Sequence, residues 1–149
     1  MTDITPPVLQ TPEARLAEAG DIAAAPAATV PLIYIVDDEI IVGEVIEGIL
    51  NLDGYRTEVF HNPHRALEQF AAANPRPRLL ITDYSMEPLN GLQLIEQCAR
   101  IDPGLRTILI SGYLIEEVIQ DCPARPHQFL GKPFLPKALT EAVRRLLDG

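Results

Sequence analysis

Tryptophan is missing from this 149-residue chain, aromatic residues make up only 5% of it, and cysteine occurs twice, at Cys98 and Cys122. Two thiols form at most one bridge, which excludes the disulfide framework of a small secreted scaffold and suits a reducing compartment. Basic residues are scarce as well: 12 Lys and Arg against 21 Asp and Glu leave a formal charge of −9. Nucleic-acid backbones and anionic lipid surfaces reward clustered Lys and Arg, so no nucleic-acid or membrane partner is expected. No secretory leader is expected, because the first basic residue, Arg15, follows Asp3 and Glu13 and no apolar run succeeds a positive start. The charge-free stretch from Ile22 to Val36 is interrupted by Pro26, Thr29 and Pro31. It is also shorter than the ~20 residues a spanning helix needs. A cytoplasmic location is expected by elimination.

What remains is ordinary core material, 47% of the chain. A chain of this size buries roughly 68–70% of the surface its unfolded form exposes, so one domain folds without metal or disulfide. Five of the 14 prolines (Pro6, Pro7, Pro12, Pro26 and Pro31) fall at the start, where large apolar residues are isolated. Such a segment cannot bury enough to offset its ordering entropy. Residues 1–31 therefore read as a flexible Ala/Pro-rich arm, in which Thr11-Pro12-Glu13 starts a short frayed helix over 12–19. The folded domain is expected over 32–149.

From Leu32 onward, short apolar runs alternate with helical patterns. Leu32 to Val36 reads as a strand; Val42, Val45, Ile46 and Ile49 give a helix that Asp53-Gly54 stops. Thr57–Phe60, Leu79–Thr82, Thr107–Ile110 and Gln128–Leu130 read as further strands. Their helices carry Leu67 and Phe70 within Pro63–Ala73; Leu92, Leu94, Ile95 and Cys98 within Gly91–Arg100; Ile115, Val118, Ile119 and Cys122; and Leu135, Leu139, Val143 and Leu146. Five β-α repeats predict an α/β fold, a doubly wound five-stranded parallel sheet with helices on both faces.

In such a sheet, ligands bind outside the carboxyl ends of the strands. There the chain places Asp37-Asp38-Glu39, Asp83, Ser111-Gly112 and Lys132-Pro133, one group at the end of each of four strands. Taken singly, each has an ordinary explanation: a solvated acidic turn, a cap, a surface lysine. Together they bring three mutually repelling carboxylates, a hydroxyl and an ammonium to one crevice. A hard divalent cation with oxygen ligands relieves that repulsion, and Mg²⁺ is the ion implied.

These residues resemble the receiver domains of two-component response regulators. The elements of the resemblance are Val36-Asp37-Asp38-Glu39; Ile81-Thr82-Asp83-Tyr84-Ser85-Met86 with Gly91; Ile110-Ser111-Gly112-Tyr113; and Phe129-Leu130-Gly131-Lys132-Pro133-Phe134. The resemblance implies a flavodoxin-like (βα)5 fold with strand order 2-1-3-4-5. It implies that Asp83 accepts a phosphoryl group from a histidine kinase or a histidine phosphotransfer protein. Mg²⁺ would be held by Asp38, Asp83 and the backbone carbonyl of Ser85, with Asp37 acting through a water. Lys132 and Ser111 would contact the phosphoryl oxygens, Gly112 would keep neighbouring backbone clear, and Lys132-Pro133 would be a cis bond. Ser111 and Phe129 would form the switch, read by a downstream protein on the face made by the helix after strand 4, strand 5 and the last helix. Ser85 and Tyr113 would tune the phosphoryl lifetime.

Two departures from the family pattern stand out. Glu87 separates Met86 from Pro88, and Pro123-Ala124-Arg125-Pro126 precedes strand 5 where a Gly-Ala pair is common. A haloacid-dehalogenase-type phosphatase needs a second acid two residues after its nucleophile, where Ser85 stands, and a Gly-Lys-Ser/Thr phosphate loop is missing. The expectation is thus a single-domain regulator ending at Gly149, a monomer or weak phosphorylation-dependent dimer, not an enzyme beyond self-catalysed phosphoryl acceptance and loss. The alternative is a receiver-like binding module that works without phosphorylation.

Overall fold

The computed structural model describes residues 30–112 and 123–148. Residues 1–29, with the helix expected over 12–19, and the segment holding Tyr113, Ile115, Val118, Ile119 and Cys122 lie outside the described residues.

Strand residues alternate between two cores, as the period of 2 in an extended chain requires. Ile33 and Ile35 of β1 (Leu32–Val36) face one core, and Tyr34 and Val36 face the other. The same alternation continues in β3 (Leu79–Asp83) and β4 (Arg106–Ser111). With β2 (Arg56–Phe60) and β5 (Gln128–Gly131) these strands form one parallel sheet of order β2-β1-β3-β4-β5. The first core is closed by Ile46 and Leu50 of α1 (Ile40–Leu52) and by Leu139 and Val143 of α4 (Pro136–Asp148). The second is closed by Phe70 of α2 (Pro63–Ala72) and by Leu92, Ile95 and Cys98 of α3 (Gly91–Ile101). Helices thus cover both faces, and the strand order of the resemblance is the one observed.

Local chemistry fixes the helix ends. The side chain of Asn62 accepts from the amides of His64 and Arg65, and Pro63 takes the first helical position, where no amide is needed. Asn90 and Gln93 exchange hydrogen bonds of 2.9 Å at the start of α3. Gly54, at φ 92°, supplies the left-handed residue that ends α1.

Two expectations are corrected. Val45 is 51% exposed while Leu50 is fully buried, because the inward stripe of α1 runs through Ile46 and Leu50, four residues apart, rather than through Val45. Leu135 is 73% exposed and precedes α4 instead of packing beneath it. On α2, by contrast, Phe70 is buried and Leu67 packs against the second core as expected, with Ala66 buried as well. The strands also run further than expected: Asp83 pairs with Ile110, and Ser111 with Gly131. Both site residues are therefore held in the sheet itself rather than in a following loop.

Candidate functional site

Because β1, β3, β4 and β5 are parallel neighbours, their carboxyl ends lie along one rim. Carboxylate oxygens of Asp37, Asp38 and Asp83 come within 4.8 Å of one another. Lys132 reaches the same point from the end of β5, with its Nζ 2.9 Å from Asp83 Oδ1 and 3.8 Å from Asp37 Oδ2. The backbone closes the arrangement: the Lys132 amide donates to the Ser111 carbonyl at 2.8 Å, and the Tyr84 amide to that of Ile110 at 2.8 Å. A cleft of about 390 Å³ opens over these groups, lined by Asp38, Glu39, Asp83, Ser85, Gly112 and Lys132. The Lys132–Pro133 peptide is cis, as the resemblance implied, and Asn74–Pro75 and Glu87–Pro88 are cis too.

The three acids are not equivalent. Asp37 is 1% exposed, Asp83 6%, and Asp38 is exposed. Burial pushes the Asp37 carboxyl up to about 6; the Glu39 amide and Lys132 pull the other way, while Asp83 and Asp38 add repulsion. One oxygen of Asp37 accepts from the Glu39 amide at 2.9 Å, and the other is buried without a hydrogen-bond partner. A buried carboxylate oxygen with no hydrogen bond, only the Lys132 ammonium at 3.8 Å, beside two further carboxylates is costly as it stands. An all-oxygen donor set of this kind suits a hard cation such as Mg²⁺, so these residues fit the ion the resemblance implied. Lys132 is subject to opposing effects: burial lowers its pKa, but the Asp83 hydrogen bond and the Asp37, Asp83 and Glu39 charges outweigh that and raise it.

Ser111 is buried at the end of β4, and Ser85 is exposed beside the cleft. Phe129 is half-buried, paired with Leu109 across the β4–β5 ladder and packed against the second core. A Cβ on Gly112 would meet nothing within 4 Å, so no close approach demands glycine there. The steric demand falls on Gly91, where a Cβ would overlap the Asp83 carbonyl oxygen and come within 2.7 Å of Leu109 Cδ1. The start of α3 therefore lies directly against the backbone of Asp83.

Sequence reasoning missed one group. His61 Nδ1 lies 2.9 Å from the Asp37 carbonyl oxygen, and the Asp37 amide donates to the Phe60 carbonyl at 3.0 Å. These two bonds clip the acidic turn to the end of β2. No local pattern signals this, since it depends on β2 pairing in register with β1.

Sheet order and crevice define a class, the doubly wound signalling modules with an acidic, Mg²⁺-compatible site at the strand ends. A family model described as the response regulator receiver domain matches residues 33–144. The chain belongs to that family, whose members are signalling modules of two-component systems that take phosphate from histidine kinases rather than enzymes in the usual sense. It is 31% identical over 119 residues to the nitrogen assimilation regulatory protein NtrX of Azorhizobium caulinodans, a match covering 78% of this chain and 26% of that protein. It is 30% identical over 116 residues to response regulator MprA of Mycobacterium ulcerans, covering 77% of this chain and 49% of that one. The matched region is thus about a quarter to a half of these relatives' length. Among solved structures, a CheY-like receiver domain protein from Methanospirillum hungatei superposes with a TM-score of 0.74 at 25% identity, covering 80% of this chain and 95% of that one. The response regulator TrrA from Thermotoga maritima, in complex with Mg²⁺ and BeF, gives 0.70 at 25% identity, over 79% and 100% of the two chains. No helix among the described residues is long and apolar enough to cross a membrane.

Proposed function

We propose that residues 32–149 form a receiver that accepts a phosphoryl group on Asp83 from a phosphohistidine of a kinase or phosphotransfer protein, behind an arm of residues 1–31. The observation that carries this reading is the meeting of Asp37, Asp38 and Asp83 within 4.8 Å, with Lys132 bonded to Asp83 at 2.9 Å. An Asp83 oxygen bonds to phosphorus as the phosphorus–nitrogen bond breaks, and the imidazole leaves with its electron pair and takes up a proton. Lys132 holds one Asp83 oxygen and supplies positive charge where negative charge accumulates on the transferring oxygens. Ser111, at the end of β4, donates its hydroxyl to a phosphoryl oxygen. Asp38, Asp83 and the Ser85 carbonyl would hold Mg²⁺, with Asp37 behind them. When bound, the ion offsets the repulsion between the carboxylate and the incoming phosphate.

Movement of Ser111 toward the new dianion, followed by Phe129 from its half-buried seat, conveys the signal to a downstream protein. In this reading the receiver works through such contacts, as a monomer or a weak phosphorylation-dependent dimer. Wild type incubated with Mg²⁺ and a small phosphodonor should give a shifted band on a phosphate-affinity gel, and Asp83→Asn should give none. A band that persists in Asp83→Asn, or no band in wild type, would overturn the assignment. Omitting Mg²⁺ should reduce phosphorylation more than Lys132→Ala does.

A further inference from the structure

The amino-terminal rim of the sheet, opposite the acidic crevice, holds a second and larger cleft of about 740 Å³. Its charged lining is Arg76, Arg78 and Arg106, with Asp102 as the one carboxylate, and Ala71–Ala73 and Gly104 keep its walls low. In a chain of formal charge −9 with 21 acids to 12 bases, three arginines lining one hollow need a reason. Arg78 and Arg106 are neighbours across the strands, since the Arg106 amide donates to the Arg78 carbonyl at 3.2 Å. Among the described residues neither is in an ion pair, whereas Arg100, Lys132 and Arg144 each are.

Helix capping accounts for Arg76 alone. Its Nε donates to the Phe70 carbonyl at 3.3 Å, near the end of α2, and its guanidinium carbon lies 5.8 Å from the Phe70 ring centre. That anchoring also fixes it in the cleft wall. The backbone beneath is stiff: Arg76 and Arg78 flank the buried Pro77, and the Arg78 amide is tied to the Leu32 carbonyl at 3.0 Å.

We propose that this cleft binds a phosphorylated small molecule of the nucleoside diphosphate class. Guanidiniums recognise phosphate oxygens through paired N–H donors, and three of them match adjacent phosphates better than a single carboxylate. Asp102, turned toward its own loop by the Gly104 amide at 3.0 Å, is an acceptor for sugar hydroxyls beside those phosphates. The volume falls within the roughly 300–1,000 Å³ of small-molecule sites, and the polar lining suits a charged occupant. Binding here is independent of phosphorylation at Asp83.

The test is calorimetric titration of the full chain with ADP, in EDTA and low salt, so that the acidic crevice is without Mg²⁺. Saturable binding is expected, weakened at least tenfold in the Arg78→Gln/Arg106→Gln double variant and by added salt, and unchanged in Asp38→Asn at the opposite rim. Both arginines are exposed, so the double variant should melt with wild type; if it does not, the two single variants are titrated instead. The proposal is overturned by absence of saturable ADP binding, by equal binding in the arginine variants, or by loss of binding in Asp38→Asn. Tighter binding of a Glu-rich peptide than of ADP would also overturn it and assign the cleft to an acidic protein segment.

Discussion

Asp37 is the residue at which folding and function conflict. Its carboxyl is pushed up to about 6 from 3.8, mainly by burial, so the folded state holds the proton more tightly than the unfolded chain does. The stabilisation this gives is complete below pH 3.8 and is lost as the pH rises through about 6. At neutral pH without metal, Asp37→Asn should therefore raise the melting temperature by several degrees, and the gain should shrink as the pH falls toward 4; a lower melting temperature at pH 7.5 would contradict this. Gly91 is the opposite case, a residue without chemistry whose size is fixed by contact with the Asp83 carbonyl and Leu109. Gly91→Ala forces that contact apart, and urea unfolding should show a loss of about 1–3 kcal/mol. The sequence marked Asp37, Asp38, Asp83, Ser111 and Lys132 through their chemical types at strand ends. It did not mark His61, whose ring on the Asp37 carbonyl follows only from strand pairing.

Among the elements, β5 is the least self-supporting, with four residues at the sheet edge, none of them fully buried. Its entry is fixed by His127 and Thr107. The Thr107 amide donates to His127 Nδ1 at 3.1 Å, and the His127 amide donates to the Thr107 carbonyl at 3.0 Å. An amide can only donate, so Nδ1 must be unprotonated. Burial and the nearby Arg106 charge lower the His127 pKa below its ordinary 6.5, in keeping with that role. The linked stability is present above pH 6.5 and is lost as the pH falls through the lowered value. Hydrogen exchange at the Thr107 amide, corrected for intrinsic rate, should show protection falling between pH 7.5 and 5.5 in wild type; no change over that range would remove His127 from this role. Because β5 carries Phe129 and leads directly into Lys132, its docking governs both the proposed site and its proposed readout.

At the scale of the whole molecule, stability and metal binding are linked. Any ligand held only by the folded state stabilises it by mass action, about 2.7 kcal/mol at a hundred times its dissociation constant. Mg²⁺ should raise the melting temperature of wild type and do so much less in Asp38→Asn; equal shifts in the two would count against the acidic cluster as the metal site. Within the net charge of −9 stand two local groups, Asp37, Asp38 and Asp83 at the carboxyl rim and Arg76, Arg78 and Arg106 at the amino rim. By itself the sequence determined the strands and their parallel arrangement, and it marked the candidate site residues at the strand ends, because period, length and side-chain chemistry are local properties. It placed Val42, Ile46 and Ile49 on the inward side of α1 but misplaced Val45 and Leu135, because the edge of a helical stripe is decided only by the wall it packs against. The tertiary structure alone decided that Asp37 is buried with one oxygen that no hydrogen bond reaches, that His61 clips its turn, and that Arg76, Arg78 and Arg106 line one cleft. Each of these depends on through-space distance between separate strands, which sheet order and register set and no local pattern contains.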